Sequence, residues 1–127
     1  MKRRMVALNI NYQKMATFKN YKYWYGGKGQ IATKTLADTL QKQNPSVWTK
    51  SYYNKAIKDI DGKTRVSDCS HLVCYTYGIS DIGSSQIKEK YKEWNGTPKN
   101  GMILWRKGHV AIYWNGKAIQ MKGIDYD

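Results

Sequence analysis

Near the middle of the chain the sequence runs Val66-Ser67-Asp68-Cys69-Ser70-His71-Leu72-Val73. Asp68 is a good helix N-cap, because its carboxylate can accept hydrogen bonds from the amide groups of the first turn. We therefore predict a helix that begins at Cys69 and ends at about Tyr77, with Gly78 as its C-terminal cap. The positive field at a helix N-terminus, with an imidazole nearby, can lower a thiol pKa from about 8.5 to about 3.5–7.5. Cys69 is thus a candidate nucleophile, and the alternative is a buried structural cysteine.

The last quarter of the chain has the alternating pattern of strands. We predict strands at Met102–Trp105, His109–Trp114 and Lys117–Lys122, joined at Lys107-Gly108 and at Asn115-Gly116. Asn-Gly between two such runs is the strongest short-range signal for a β-hairpin, most often with a two-residue type I′ turn.

This hairpin predicts which side chains meet. A two-residue turn pairs Trp114 with Lys117, Tyr113 with Ala118, Ile112 with Ile119 and Ala111 with Gln120. Because side chains alternate between faces, one face carries His109, Ala111, Tyr113, Ala118, Gln120 and Lys122. Gln120 is then a diagonal neighbour of His109, about 7–8 Å away between Cα atoms. We predict that Gln120 holds one ring nitrogen of His109 and turns the other toward a thiol. The alternatives are an exposed strand histidine and a solvated glutamine.

The rest of the chain is predicted to be mainly helical. Apolar residues at helical spacing predict helices over about Val6–Lys19, Thr33–Gln43, Ser46 or Thr49 to Ile60, and Ser84 or Ser85 to Trp94. The aromatic run before Gly26-Gly27 predicts a turn or a close backbone approach there, and Thr64–Val66 reads as extended. We expect an α+β fold, with N-terminal helices packed on a small C-terminal antiparallel sheet, in a single domain over residues 1–127.

Charge is the strongest bulk feature of the chain. Its 127 residues carry 22 Lys plus Arg against 9 Asp plus Glu, a net charge of +13, which predicts affinity for polyanions. Nucleic acid and an anionic, teichoic acid-rich cell wall are both polyanions, but scattered basic residues argue against nucleic acid. No apolar run is long enough to span a membrane. Met1-Lys2-Arg3-Arg4 resembles the start of an export signal, but polar residues follow it, so we expect no signal peptide.

The two cysteines do not predict a disulfide. On one helix Cys69 and Cys74 point about 140° apart, and their Cα atoms lie too far apart to be bridged. Cys74 is therefore expected in the core. A zinc site made of Cys69, His71, Cys74 and His109 is an alternative, although the Cys-x-His-x-x-Cys spacing fits no common structural zinc pattern.

At this point the chain resembles the NlpC-type papain-like cell-wall peptidases. The matching pieces occur in order: Tyr23-Trp24-Tyr25-Gly26-Gly27, Asp68-Cys69-Ser70-His71-Leu72-Val73, Gly108-His109-Val110-Ala111-Ile112-Tyr113, then Gln120. The resemblance implies a papain-like fold, with Cys69 as nucleophile, His109 as general base and Gln120 as its orienting residue. It also implies that Tyr23 lies beside the oxyanion, that Asp68 and Ser70 help to bind substrate, and that a backbone amide at the helix start serves the oxyanion hole.

Such enzymes hydrolyse amide bonds in peptidoglycan stem peptides, commonly between D-glutamate and the diamino acid, without a metal or cofactor. Three features of this chain differ from the family pattern. The loop before the sheet reads Gly101-Met102, where the family usually has Gly-Asp. His71 stands where the family usually has Gly, and because residues i and i+2 of a helix do not face each other we expect it to line a pocket. Residues 28–67 form an insert, for which we expect two helices bordering the substrate groove.

Three functions remain open at this level. The chain is expected to be a peptidoglycan endopeptidase; the alternatives are an N-acetylmuramoyl-L-alanine amidase with the same triad, or a non-catalytic basic module that binds cell wall or nucleic acid. We expect a monomeric phage or prophage endolysin of a Gram-positive host. Such an enzyme would stay in the host cytoplasm until lysis and then act on the anionic cell wall.

Overall fold

A computed structural model describes residues 3–5 and 12–121 of the chain, with the side chains described from residue 12 onward. Within these residues it is a mixed α+β protein with five helices and two small sheets. The strands are β1 (Arg3–Met5), β2 (Lys22–Tyr23), β3 (Lys28–Ile31), β4 (Arg65–Ser67), β5 (Glu93–Trp94), β6 (Ile103–Arg106), β7 (His109–Trp114) and β8 (Lys117–Ile119). The helices are α1 (Tyr12–Ala16), α2 (Lys34–Gln43), α3 (Lys50–Ala56), α4 (Cys69–Tyr77) and α5 (Ser84–Lys90).

The described residues group into two compact units. The first unit runs up to Phe18 and continues over Cys69–Met121, and the second spans Lys19–Asp68. None of the helices in the described residues is both long and apolar enough to cross a bilayer.

The sheet of the first unit is antiparallel, with strand order β5-β1-β6-β7-β8. Strand β7 lies between β6 and β8, and its first four residues are buried. Helix α4 packs against β7, and both α1 and α5 pack against α4. The apolar side chains that fill this unit include Met15, Phe18, Leu72, Val73, Ile87, Ile103, Val110 and Ile112. The predicted α+β class is confirmed.

The predicted hairpin is confirmed in both register and turn. Strands β7 and β8 pair Trp114 with Lys117, Tyr113 with Ala118 and Ile112 with Ile119. Asn115 and Gly116 both have positive φ, 49° and 79°, as a type I′ turn requires. Strand β8 ends at Ile119, so Gln120 and Met121 follow it, and the predicted strand end at Lys122 lies outside the described residues.

Helix starts are also predicted well where a side chain can cap them. Helix α2 begins after Thr33, whose Oγ1 accepts a hydrogen bond from the Leu36 amide at 3.0 Å. Helix α3 begins after Thr49, whose Oγ1 accepts from the Tyr52 amide at 3.2 Å. A 3-10 turn over Ile57–Asp59 continues α3 to the predicted end.

Helix α4 has the bounds expected from the sequence. It begins at Cys69 and ends at Tyr77, and the next residue, Gly78, has a φ of 70°. Only a residue without a β-carbon adopts this conformation at little cost, which is why the helix ends here.

Two stretches of the first unit differ from the sequence predictions. The helix expected to reach Trp94 ends at Lys90, because the backbone is already extended at Tyr91, and Glu93–Trp94 pairs with β1 at the edge of the sheet. A helical period cannot reveal that an unpaired strand edge is available to these residues. The helix predicted from Val6 is described only from Tyr12, and after Ala16 it becomes a 3-10 turn over Thr17–Asn20.

The second unit has its own sheet and its own core. Its sheet has the order β2-β4-β3, with β2 parallel and β3 antiparallel to β4. The core contains Trp24, Ala32, Ala37, Leu40, Trp48, Tyr52, Ala56 and Val66. The two helices expected in residues 28–67 are α2 and α3; strand β3 was not predicted.

The Gly26-Gly27 pair serves both purposes predicted for it. Gly26 makes the turn, with a φ of 84°. At Gly27 a β-carbon would lie 3.0 Å from both the Ser67 nitrogen and the Trp24 oxygen, so a side chain there would require the neighbouring backbone to shift. This close approach brings residues 24–28 against the end of β4.

Candidate active site

Cys69 is the first residue of α4 and exposes 8% of its surface. The other cysteine, Cys74, is fully buried on the same helix, and its thiol donates a long hydrogen bond to the Ile82 carbonyl at 3.7 Å. Neither cysteine forms a disulfide, and the expected core position of Cys74 is confirmed. Cys69 is therefore a buried cysteine at a helix N-terminus, and Cys74 is a fully buried cysteine further along the same helix.

His109 is the first residue of β7 and exposes only 4% of its surface. Its Nε2 lies 2.7 Å from Oε1 of Gln120, the residue that the predicted register brought to it. An amide oxygen can only accept a hydrogen bond, so Nε2 must carry the hydrogen and donate it. In the neutral ring Nδ1 then holds the lone pair, so Nδ1 is the nitrogen that can accept a proton.

The elements that carry Cys69 and His109 are neighbours. Helix α4 packs against strand β7 within the first unit, and each residue is the first of its element. The structure thus brings His109 and Gln120 into direct contact and sets the helix that begins at Cys69 against the strand that begins at His109. A thiol, an imidazole and an orienting amide are the groups needed for nucleophilic acyl transfer.

Of the three predicted substrate-binding residues, Asp68 and Ser70 flank Cys69 in the sequence and Tyr23 lies on β2. Tyr23 is half-buried in β2, where it pairs with Ser67 in parallel register. Asp68 accepts a hydrogen bond from Lys28 Nζ at 2.8 Å, and its amide donates to the Gly27 carbonyl at 2.9 Å. Ser70 is buried, with 5% of its surface exposed.

His71 has a different environment from His109. Its Nδ1 lies 2.7 Å from Oδ1 of Asp81, and its ring packs against Phe18 and Tyr75 at centroid distances of 5.7 Å and 5.9 Å. Asp81 lies in the segment between α4 and α5. The contacts with Asp81 and Phe18 connect the first turn of α4 to neighbouring segments, which is a structural role for His71.

Tyr77, on the last turn of α4, is another buried residue with a polar group that links the helix to a distant segment. Its hydroxyl donates a hydrogen bond to the Gly101 carbonyl, just before β6. Burial, and then the nearby Tyr91, raise the pKa of Tyr77, so the hydroxyl stays protonated and continues to donate. Burial, followed by the nearby Cys74, also raises the pKa of Tyr91.

Two of these partners were not found in the sequence. Lys28 is 40 positions from Asp68, and Asp81 is ten positions from His71 in a segment without periodic pattern. Lys28 directly follows the Gly26-Gly27 turn, which is the one local signal that its position is special. Nothing in the sequence around Asp81 indicates its partner.

The proposed zinc ligands all lie in the described part of the chain. Among residues 12–121 no group of three or more His, Cys, Asp or Glu side chains is arranged to hold a metal ion. His109 contacts Gln120 and His71 contacts Asp81, so the two imidazoles have separate partners.

Comparison of the chain with models of protein families, with curated proteins and with solved structures finds no match.

Proposed function

We propose that this protein is a peptidoglycan hydrolase that cleaves an amide bond of the stem peptide with Cys69, His109 and Gln120, on a papain-like fold of the NlpC type. The observation that carries the proposal is the 2.7 Å hydrogen bond between His109 Nε2 and Gln120 Oε1. It selects the tautomer in which Nδ1 is basic, on a strand that packs against the helix beginning at Cys69.

In the proposed reaction Nδ1 of His109 takes the proton from the Cys69 thiol. The thiolate attacks the carbonyl carbon of the scissile amide, and a backbone amide at the start of α4 stabilises the resulting oxyanion. When the C–N bond breaks, the imidazolium gives its proton to the leaving amine and a thioester remains on Cys69. A water molecule, deprotonated by His109, then hydrolyses the thioester, which releases a carboxylate and restores the thiol.

Gln120 would act on His109 without itself exchanging a proton. Its amide oxygen stabilises the ring hydrogen on Nε2 through both steps, although it offsets the imidazolium charge less than a carboxylate would. Tyr23 is the residue we propose beside the oxyanion, with Asp68 and Ser70 on the substrate peptide.

The net charge of +13 supports the choice of an anionic cell wall as the target. We propose a Gram-positive host, whose wall the enzyme reaches during lysis by a phage or prophage. The bond we propose is the amide between D-glutamate and the diamino acid. Cleavage between the sugar and the first stem residue is the alternative outcome of the same triad.

Clearing of a purified Gram-positive cell-wall suspension tests the proposal. The wild-type protein should reduce the turbidity, and Cys69→Ala should stop clearing while circular dichroism shows an unchanged fold. Cys74→Ala is the matched control, because it removes the other thiol of the same helix and should leave clearing intact. If Cys69→Ala clears walls at the wild-type rate, the nucleophile is wrongly assigned and a binding module becomes the better description.

Mass spectrometry of the released fragments identifies the bond. New amino termini inside the stem peptide are expected for an endopeptidase. Free lactyl groups on the sugar would instead indicate an amidase.

A further inference from the structure

Lys28 and Asp68 form a partly buried ion pair within the second unit. Lys28 Nζ lies 2.8 Å from Asp68 Oδ2, and the two side chains are 34% and 13% exposed. Another lysine–aspartate pair of this unit, Lys34–Asp38, is longer at 3.3 Å and more exposed, at 75% and 47%. Attraction between charges grows as solvent is excluded, so the Lys28–Asp68 pair is the more persistent of the two.

Backbone contacts also hold Lys28 and Asp68 in place. The Asp68 amide donates to the Gly27 carbonyl at 2.9 Å, and Lys28 is the register partner of Ser67 in the β3–β4 ladder. At Gly27 a β-carbon would lie only 3.0 Å from the Ser67 nitrogen, so the two backbone segments approach closely at this contact. Asp68 is therefore held through both its main chain and its carboxylate by one short segment of chain, residues 27–28.

Asp68 is joined by a peptide bond to Cys69, which begins α4. Their Cα atoms are therefore about 3.8 Å apart, so the carboxylate lies within about one Debye length of the sulfur at physiological salt. An unopposed carboxylate there would disfavour the thiolate, because the two groups carry the same charge. The Lys28 ammonium opposes that charge.

We propose that Lys28 is a positioning residue for Cys69: it holds the Asp68 carboxylate in place and offsets its negative charge at the residue directly before the nucleophile. This inference rests on the proposed function only in taking Cys69 as the nucleophile. Lys28 acts through Asp68 and needs no contact with substrate.

The test measures the rate at which iodoacetamide alkylates Cys69 as a function of pH, in a Cys74→Ala background so that one thiol reacts. This readout follows the thiolate directly and does not require hydrolysis of cell wall. Other charged or titratable groups on elements packed against α4 are Tyr12 and Lys14 on α1, Lys88, Glu89 and Lys90 on α5, and His109 and Tyr113 on β7; His71, Tyr75 and Tyr77 lie on α4 itself. All of them stay unchanged in the variants.

Lys28→Met should move the midpoint of the alkylation profile upward by about 0.5 pH unit, which slows alkylation below the midpoint about threefold. Asp68→Asn should move it downward, and the double variant should return close to wild type. Lys28→Arg keeps the charge and should keep the profile. Lys34→Met is the matched control, because it breaks an ion pair of the same unit whose carboxylate is far from residue 69 in the chain.

The inference would be overturned if wild type and Lys28→Met gave equal profiles. It would also be overturned if Lys28→Met and Asp68→Asn moved the midpoint in the same direction and the double variant showed the sum of the two shifts. If Lys28→Met does not fold, Asp68→Asn and Lys28→Arg replace it: the first should move the midpoint downward and the second should leave it unchanged, and any other result contradicts the inference. A normal shift in a protein that clears no cell wall would support the role of Lys28 and reject the hydrolase proposal, so the two failures are distinguishable.

Discussion

The imidazole of His109 and the amide of Gln120 meet at 2.7 Å, Nε2 to Oε1, across the β7–β8 hairpin. The contact connects the turn at Asn115-Gly116 to the chemistry of the ring, because the turn sets the register that brings the two side chains together. A substitution that removes the Gln120 amide or alters the turn should therefore change the orientation of the His109 ring.

Gln120→Leu removes the acceptor for the ring hydrogen on Nε2 and should lower kcat/KM about tenfold, equivalent to about 1.4 kcal/mol for one hydrogen bond. Gln120→Glu keeps an acceptor at the same place and should retain most of the activity. The measurement is the initial rate of wall clearing over a range of substrate concentrations. A Gln120→Leu protein as active as Gln120→Glu would mean that the amide does not orient His109.

The two histidines should respond differently to substitution. His109→Ala should abolish clearing of the cell wall, and because it removes a buried ring and its hydrogen bond to Gln120 it should also lower the free energy of unfolding by about 1–3 kcal/mol. His71→Ala should leave Cys69 and His109 in place and lower the free energy of unfolding by about 2 kcal/mol, since it removes a hydrogen bond to Asp81 and ring contacts with Phe18 and Tyr75.

Chemical denaturation and clearing assays on the same preparations check this pair of expectations. Asp81→Ala is the control for His71, because it removes the hydrogen bond and leaves the ring in place, so it should cost less stability than His71→Ala. A His71→Ala protein that is fully stable yet inactive would assign His71 to the chemistry and contradict the structural role.

Substitution of Gly116 should lower the stability of the protein because of the backbone conformation at this residue alone. Its φ is 79° and no atom lies within 4 Å of where a β-carbon would be, so the cost of a side chain is conformational strain without a clash. Gly116→Val should lower the free energy of unfolding by about 1–2 kcal/mol. Gly116→Asn should cost distinctly less, because Asn tolerates the left-handed region better than β-branched residues do. Equal losses for the two variants would argue against the type I′ turn.

Protonation of Asp61 should make the protein less stable in acid. Its carboxylate accepts hydrogen bonds from the backbone amides of Thr64 and Lys63 and from the Thr64 hydroxyl, and these contacts lower its pKa to about 2. The folded-state pKa is depressed, so the stabilisation is complete above the ordinary value of about 3.9 and is lost as the pH falls toward 2.

Asp61→Asn isolates this charge. At about pH 7 the wild type should have the higher Tm, and the difference should shrink as the pH falls from about 4 to about 2. Thermal melts of both proteins over that range make the comparison. A difference in Tm that is constant with pH would mean that the carboxylate charge does not stabilise this turn.

Local signals in the sequence determined several elements correctly. The helix starts near Thr33 and Thr49 and the bounds of the helix that begins at Cys69 depend on residues within one turn of each other. The register that brought Gln120 to His109 depends on a two-residue turn and strict alternation. Such features are readable because the interacting groups are close along the chain or related by a fixed period.

The tertiary structure alone decided the contacts between distant groups. Lys28 meets Asp68 across 40 positions, Asp81 meets His71 from a segment without periodicity, and Glu93–Trp94 leaves its helical pattern to pair with β1. Each depends on the path of the chain between the partners, which no local propensity encodes. A charged side chain or a free strand edge can be satisfied by many partners, and only the folded path selects one.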